Sequence, residues 1–161
     1  MQVDLPHQIT SNRKLNITPC TLTPRLYTAH IRYDEVAGLG LQVEEGPNRD
    51  KYVIGIMRDD HQLKEISLMD RIVGVQGRDA GAMTVDELAD LIRSLAPNTP
   101  LFVITLESSH KQTISFNCCL CQQTNHCDDD ILIDRLNSST SVVQLKCLRC
   151  NKKCSLVYGM F

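Results

Sequence analysis

Leu26-Tyr27-Thr28-Ala29-His30-Ile31-Arg32-Tyr33, followed after a short loop by Gly38-Leu39-Gly40-Leu41-Gln42-Val43-Glu44, is the stretch on which the fold turns. The first eight residues are rich in aromatic and β-branched side chains and predict a strand. Two glycines one residue apart permit a tight turn whose successive N–H groups face one concavity, a nest for an anion. Leu41-Gln42-Val43-Glu44 alternates as a half-buried strand should, and Glu45-Gly46-Pro47-Asn48-Arg49-Asp50 breaks it. Tyr52-Val53-Ile54-Gly55-Ile56-Met57 then returns as the second arm of a hairpin.

Further along, Asp70-Arg71-Ile72-Val73-Gly74-Val75-Gln76-Gly77 reads as a strand ending in a glycine turn. The clearest helix spans residues 84–95. Thr84 is placed to cap it, Glu87 three residues on completes a capping box, and Pro97 stops it. Val85, Leu88, Ala89, Ile92 and Leu95 share one face. Leu101-Phe102-Val103-Ile104-Thr105-Leu106 closes the set as a last strand, before polar residues 107–112.

This order of elements resembles the PDZ family over residues 25–107. The resemblance is carried by Gly38-Leu39-Gly40-Leu41, by Ser67-Leu68-Met69-Asp70-Arg71-Ile72 leading to Gln76-Gly77, and by the helix opening at Thr84. Leu41 stands where Phe is usual, Met69 where Gly is common, and Gln76 where Asn is common. The resemblance implies an α+β fold, a partly open β-barrel with one long and one short helix. It also implies that the amides of Leu39, Gly40 and Leu41 hold a partner's terminal carboxylate, with Arg32 as a cation behind them. The peptide would add as a strand beside Leu41, Gln42 and Val43, and Val85, Ala89 and Ile92 would face it from the helix. Ile92, Leu39 and Leu41 would line the pocket for an apolar last residue. Val85 offers no partner to a hydroxyl, so the residue two places earlier is expected to be apolar too. The groove could instead serve internal segments or self-association.

Of eight cysteines, seven fall between Cys118 and Cys154. The start, Met1-Gln2-Val3-Asp4-Leu5-Pro6, lacks a basic segment leading into an apolar one, so metal is expected rather than disulfides. Cys118-x-x-Cys121 and Cys147-x-x-Cys150 resemble the two turns of a zinc ribbon, in which four thiolates close a tetrahedral structural site. Residues 113–161 are therefore expected to form a small β zinc ribbon holding one Zn2+ through Cys118, Cys121, Cys147 and Cys150. Residues 131–136, residues 141–146 and residues 155–158 would be its strands, the first two joined by a turn at residues 137–140. Cys119, His126, Cys127 and Cys154 leave a second zinc ion open.

Composition limits the function classes. The hydrophobic share is 42% and the charged share 22%, as in globular proteins, and the net charge is −2. Residues 1–107 hold 11 Lys+Arg against 15 Asp+Glu, and residues 108–161 hold 6 against 4. Neither part is a polycation, which makes nucleic acid a secondary partner despite the cluster Lys146, Arg149, Lys152 and Lys153. No apolar run is long enough for a bilayer. The histidines are scattered, without a metalloprotease pair, a nucleophile elbow or a phosphate loop. The expectation is a non-enzymatic adaptor or scaffold in the cytoplasm or nucleus that binds protein C-termini, with a structural zinc module as a second surface. Residues 1–24 would be an arm, flexible or extended. Homo-oligomeric assembly, with Tyr158-Gly159-Met160-Phe161 in a neighbour's groove, is a further alternative.

Overall fold

The computed structural model describes residues 17–138 and 142–158. Residues 1–16 of the expected arm, residues 139 and 140 of the expected turn with residue 141 after it, and the tail at 159–161 lie outside them. The chain divides into two compact units, Pro24–Lys111 and the remainder on either side of it. No described helix is long and apolar enough to cross a membrane.

In the Pro24–Lys111 unit the strands are β1 (Ile17–Ile31, from Pro24 onward), β2 (Leu41–Glu45), β3 (Lys51–Ile56), β4 (Arg71–Val75), β5 (Arg78–Asp79) and β6 (Phe102–Asn117, up to Lys111). They are ordered β2-β3-β4-β6-β1, with β5 on β4, so β2 is an edge strand. Helix α1 (Val85–Leu95) opens as the sequence predicts: Thr84 Oγ1 accepts from the Glu87 amide and Glu87 Oε1 accepts from the Thr84 amide. A 3-10 turn at Ala96–Asn98, containing Pro97, ends it. Ile31, Val53, Ile72, Val75, Leu88, Phe102, Ile104 and Leu106 form the core.

Of the short helix that the family resemblance implies, the structure has only a 3-10 turn, His61–Leu63, before β4. Asp60 caps its start by accepting from the Gln62 amide. The strand expected at residues 101–106 continues through the polar segment to Asn117. Burial resumes in alternation at Ile114 and Phe116, and polarity by itself does not end a strand.

Three local devices fix the unit. Met69 (φ 73) and Gln76 (φ 52) adopt left-handed backbone at the two positions where Gly and Asn are expected. Fully buried Lys51 donates its ammonium protons to the carbonyls of Arg49 and Met83, tying β3 to the entry of α1. Asp70, 1% exposed, accepts from Tyr27 on β1, from the Ser67 amide, and from the amide and hydroxyl of Ser109 on β6.

In the cysteine unit, β6 pairs with β7 (Thr124–Cys127), and β8 (Val143–Lys146) pairs with β9 (Lys153–Tyr158), both antiparallel. Ile17 to Cys20 of β1 run parallel to Ser155 to Tyr158 of β9. Residues 131–136, expected as a strand, are instead part of helix α2 (Asp130–Asn137). Asp129 caps it, its carboxylate accepting from the amides of Ile131 and Leu132. Ile133 and Leu136, three residues apart, are the buried pair, and Ile131 is 73% exposed, which is helical and not alternating spacing.

Candidate functional site

Two sites stand out, one in each unit. The first is a cleft of about 460 Å³ between β2 and α1. Leu41 and Val43 alternate onto it from the strand, Ala89 and Ile92 approach from the helix, and Leu39 closes the loop end. These five were expected at a peptide site. Gly40, Gln42 and Val85 were too, but they are not among the lining residues. The Val85 amide donates to Glu45 Oε1 at 3.1 Å, so the Glu45 side chain bridges β2 to the helix start. Glu45 lies on the same face as Leu41 and Val43, an alternation readable in the sequence.

The glycine loop is a small hairpin. Asp34 and Gly38 exchange main-chain bonds at 2.8 Å each, and the Gly40 amide donates to Ala37 O at 3.0 Å. Gly40 N–H is therefore occupied, whereas Leu39 N–H has no partner among the described residues. Asp34 accepts from the amides of Ala37 and Val36 at 2.8 Å, and these two bonds hold its carboxyl below the usual carboxylate range. Gly40 (φ 80) cannot be replaced without collision, since a Cβ there would lie 2.6 Å from Arg58 Cδ. Arg58 is the residue the sequence did not disclose. Its guanidinium donates to Arg32 O at 2.8 Å and Gly38 O at 3.2 Å, and pairs with Asp60 at 2.6 Å. The cation buttressing the loop is thus Arg58; Arg32 contributes a carbonyl. Its only sequence signal is its place shortly after β3.

The second site is a cluster of thiols. Cys118, Cys121, Cys147 and Cys150 bring their sulfurs within 4.8 Å of one another. Cys118 and Cys150 are 3.5 Å apart, and Cys121 and Cys147 3.6 Å apart. With metal–sulfur bonds of about 2.3 Å, the edge of a tetrahedral four-thiolate site is about 3.7 Å, so donor set and spacing both fit a metal ion.

Two turns of the same design present the thiols. Cys118 N–H donates to Gln123 O (2.9 Å) and Gln122 N–H to Cys118 O (3.1 Å). Likewise Cys147 N–H donates to Lys152 O (2.8 Å) and Asn151 N–H to Cys147 O (2.9 Å). Gln122 (φ 66) and Asn151 (φ 63) take the same left-handed position in each. The amides of Cys121 and Leu120 favour the Cys118 thiolate and bring it down to about 6. For Cys147 the Cys150 amide lowers the thiol against the opposing effect of burial, aided by the Arg149 amide and Asn125. Cys150 is pushed up to about 12: the Lys152 amide lowers it, but burial and the neighbouring thiols Cys118, Cys121 and Cys147 outweigh that. Main-chain donors aimed at sulfur prepare two of the four groups to bind as anions.

Of the remaining candidates, Cys119 and Cys154 lie together beside Cys118. His126 is exposed, with its Nδ1 2.8 Å from Ser115 Oγ. Cys127 is half-buried and belongs to neither thiol group.

No protein-family model and no curated protein matches the chain. Among solved structures it is similar to the second PDZ domain of Dlg1 from the choanoflagellate Monosiga brevicollis. The identity is 19%, the match covers 53% of this chain and all of that one, and the TM-score is 0.44.

Proposed function

We propose that this protein is a non-enzymatic adaptor whose Pro24–Lys111 unit takes up the C-terminal segment of a partner by strand addition. The observation that carries the reading is the edge of β2, unpaired among the described residues, beside an apolar cleft closed by α1. An extended peptide entering there gains main-chain bonds from β2, and its apolar last side chain reaches Leu39, Leu41 and Ile92. The Leu39 and Leu41 amides are the donors assigned to the carboxylate. Gly40 shapes the turn instead, since its own amide is taken by Ala37 O. The Arg58 guanidinium, its charge balanced by Asp60, serves by holding the carbonyls of Arg32 and Gly38 and so fixing the loop that presents those amides.

Peptides carrying an apolar last residue, made as free acids and as C-terminal amides, test this by fluorescence anisotropy. Amidation is expected to weaken binding at least about tenfold, because a charge-assisted bond to main-chain donors is lost. Equal binding of both forms sinks the reading.

In the second unit the proposed occupant of the four-thiol site is one structural Zn2+, which would tie the β6–β7 and β8–β9 turns together. Native mass spectrometry of protein purified in the presence of zinc should find one zinc ion per chain. A metal-free chain with the same fold would overturn that assignment.

A further inference from the structure

Cys119 and Cys154 are left over once the four-thiol site is assigned, and they are not scattered. Their sulfurs are 2.6 Å apart, and the Cys119 amide donates to Cys154 Sγ at 3.1 Å. Two thiolates sharing a tetrahedral metal stand about 3.7 Å apart, whereas a disulfide draws them to about 2.0 Å. The pair is closer than a metal edge, and among the described residues it supplies, with Cys118, three donors and no fourth.

We propose that Cys119 and Cys154 are a redox-responsive dithiol that closes to a disulfide on exposure to a peroxide. Burial orders the steps. Cys119 is half-buried and reachable by a small oxidant, while Cys154 is completely buried. The Cys119 sulfur attacks one peroxide oxygen, the O–O bond breaks, and the products are a sulfenic acid and one water. The Cys154 thiol then attacks the Cys119 sulfur, the S–O bond breaks, and the hydroxyl leaves with the Cys154 proton as a second water. Each cysteine loses one hydrogen and the peroxide is fully reduced. The bond joins the first cysteine turn to β9 next to Ser155, the residue that pairs with Ile17 of β1. Oxidation would thus clasp the turn onto that strand. This reading stands on the placement of the pair; the zinc proposal adds only that the other four thiols are shielded by metal.

The test uses the full chain purified with zinc, treated with hydrogen peroxide and mapped by mass spectrometry without reduction, with zinc content measured in parallel. The expected product is a Cys119–Cys154 cross-linked peptide lacking two hydrogens and restored by a reductant. In Cys154→Ser, dimedone labelling of Cys119 should rise at least about tenfold over the wild type, because the sulfenic acid is no longer resolved. Cys119→Ser, a one-atom change at a half-buried position, should abolish the cross-link while keeping its zinc. Both cysteines remaining free thiols, Cys118 taking the place of either in the link, or a second metal equivalent lost with Cys119→Ser would overturn the proposal. A Cys119–Cys154 link in protein that holds no zinc supports the dithiol and sinks the metal assignment instead.

Discussion

Replacing Asp70 should be the most damaging single change to the scaffold of the cleft. Its buried carboxylate serves four donors: Tyr27 Oη, the Ser67 amide at 3.1 Å, and the Ser109 amide and hydroxyl at 2.9 Å each. In Asp70→Ala the Ser109 hydroxyl keeps Leu68 O at 3.2 Å, and the Tyr27 hydroxyl is half-buried and gains partial access to water. The two amides are left without their acceptor. At about 1–3 kcal/mol for each stranded donor, discounted for water at Tyr27, the expected loss is about 3 kcal/mol. For a unit of this size that lowers Tm by about 12–24 °C.

The pH dependence fixes the charge state. Burial alone would raise the Asp70 carboxyl, but the hydrogen bonds from Tyr27, Ser109 and Ser67 outweigh it and hold it below the ordinary value. A folded pKa below the unfolded one stabilises fully above the unfolded pKa, about 3.9, and that stability is lost as pH falls through the folded value. Urea melts of wild type and Asp70→Asn, followed by far-UV circular dichroism because the chain has no Trp, should differ most at neutral pH and converge as the pH falls below the ordinary carboxylate range. A variant within about 0.5 kcal/mol of wild type at pH 7, or a gap unchanged by acid, refutes the assignment.

Gly40→Ala should cost about 1–2 kcal/mol for its left-handed backbone and displace Arg58 from the loop carbonyls, weakening binding of free-acid peptides in anisotropy titrations. Met69→Gly should do the reverse to stability. Met69 (φ 73) is 54% exposed, so relief of backbone strain exceeds the added chain entropy by about 0.5–1 kcal/mol, readable as a higher urea midpoint. Stripping metal with a chelator, or substituting Cys147→Ala, should cancel hydrogen-exchange protection at Ile114, Phe116 and Leu156, which share a cluster with the thiols. Undiminished protection there would speak against a metal-dependent core.

Local chemistry made much of the Pro24–Lys111 unit legible. The Thr84–Glu87 capping box and the glycine pair at 38 and 40 each require one backbone arrangement, and each adopts it. The substitutions at Met69 and Gln76 hid the left-handed turns only partly, because the surrounding pattern still demanded them. Polar residues 107–112 read as the end of the last strand, since alternation is invisible where Ser109 and its neighbours serve Asp70 and solvent. Residues 131–136 have the length and composition of a strand, and Asp129, the cap that makes them a helix, stands in a run of three aspartates where no single one declares itself. Arg58 and the Cys119–Cys154 pair depend on contacts between distant residues, which no local spacing encodes.

The matched cysteine turns carry a consequence for how the molecule is made. Each supplies half of one donor set, so the thiols of the earlier turn leave the ribosome ahead of those of the later one, 26 residues behind from Cys121 to Cys147. Until then Cys118 and Cys121 wait as reactive sulfur with nothing to bind, and Cys119 beside them is equally bare. The interval between the two halves is when this protein is most open to wrong pairing, and prompt metal delivery would count for more then than at any time after folding.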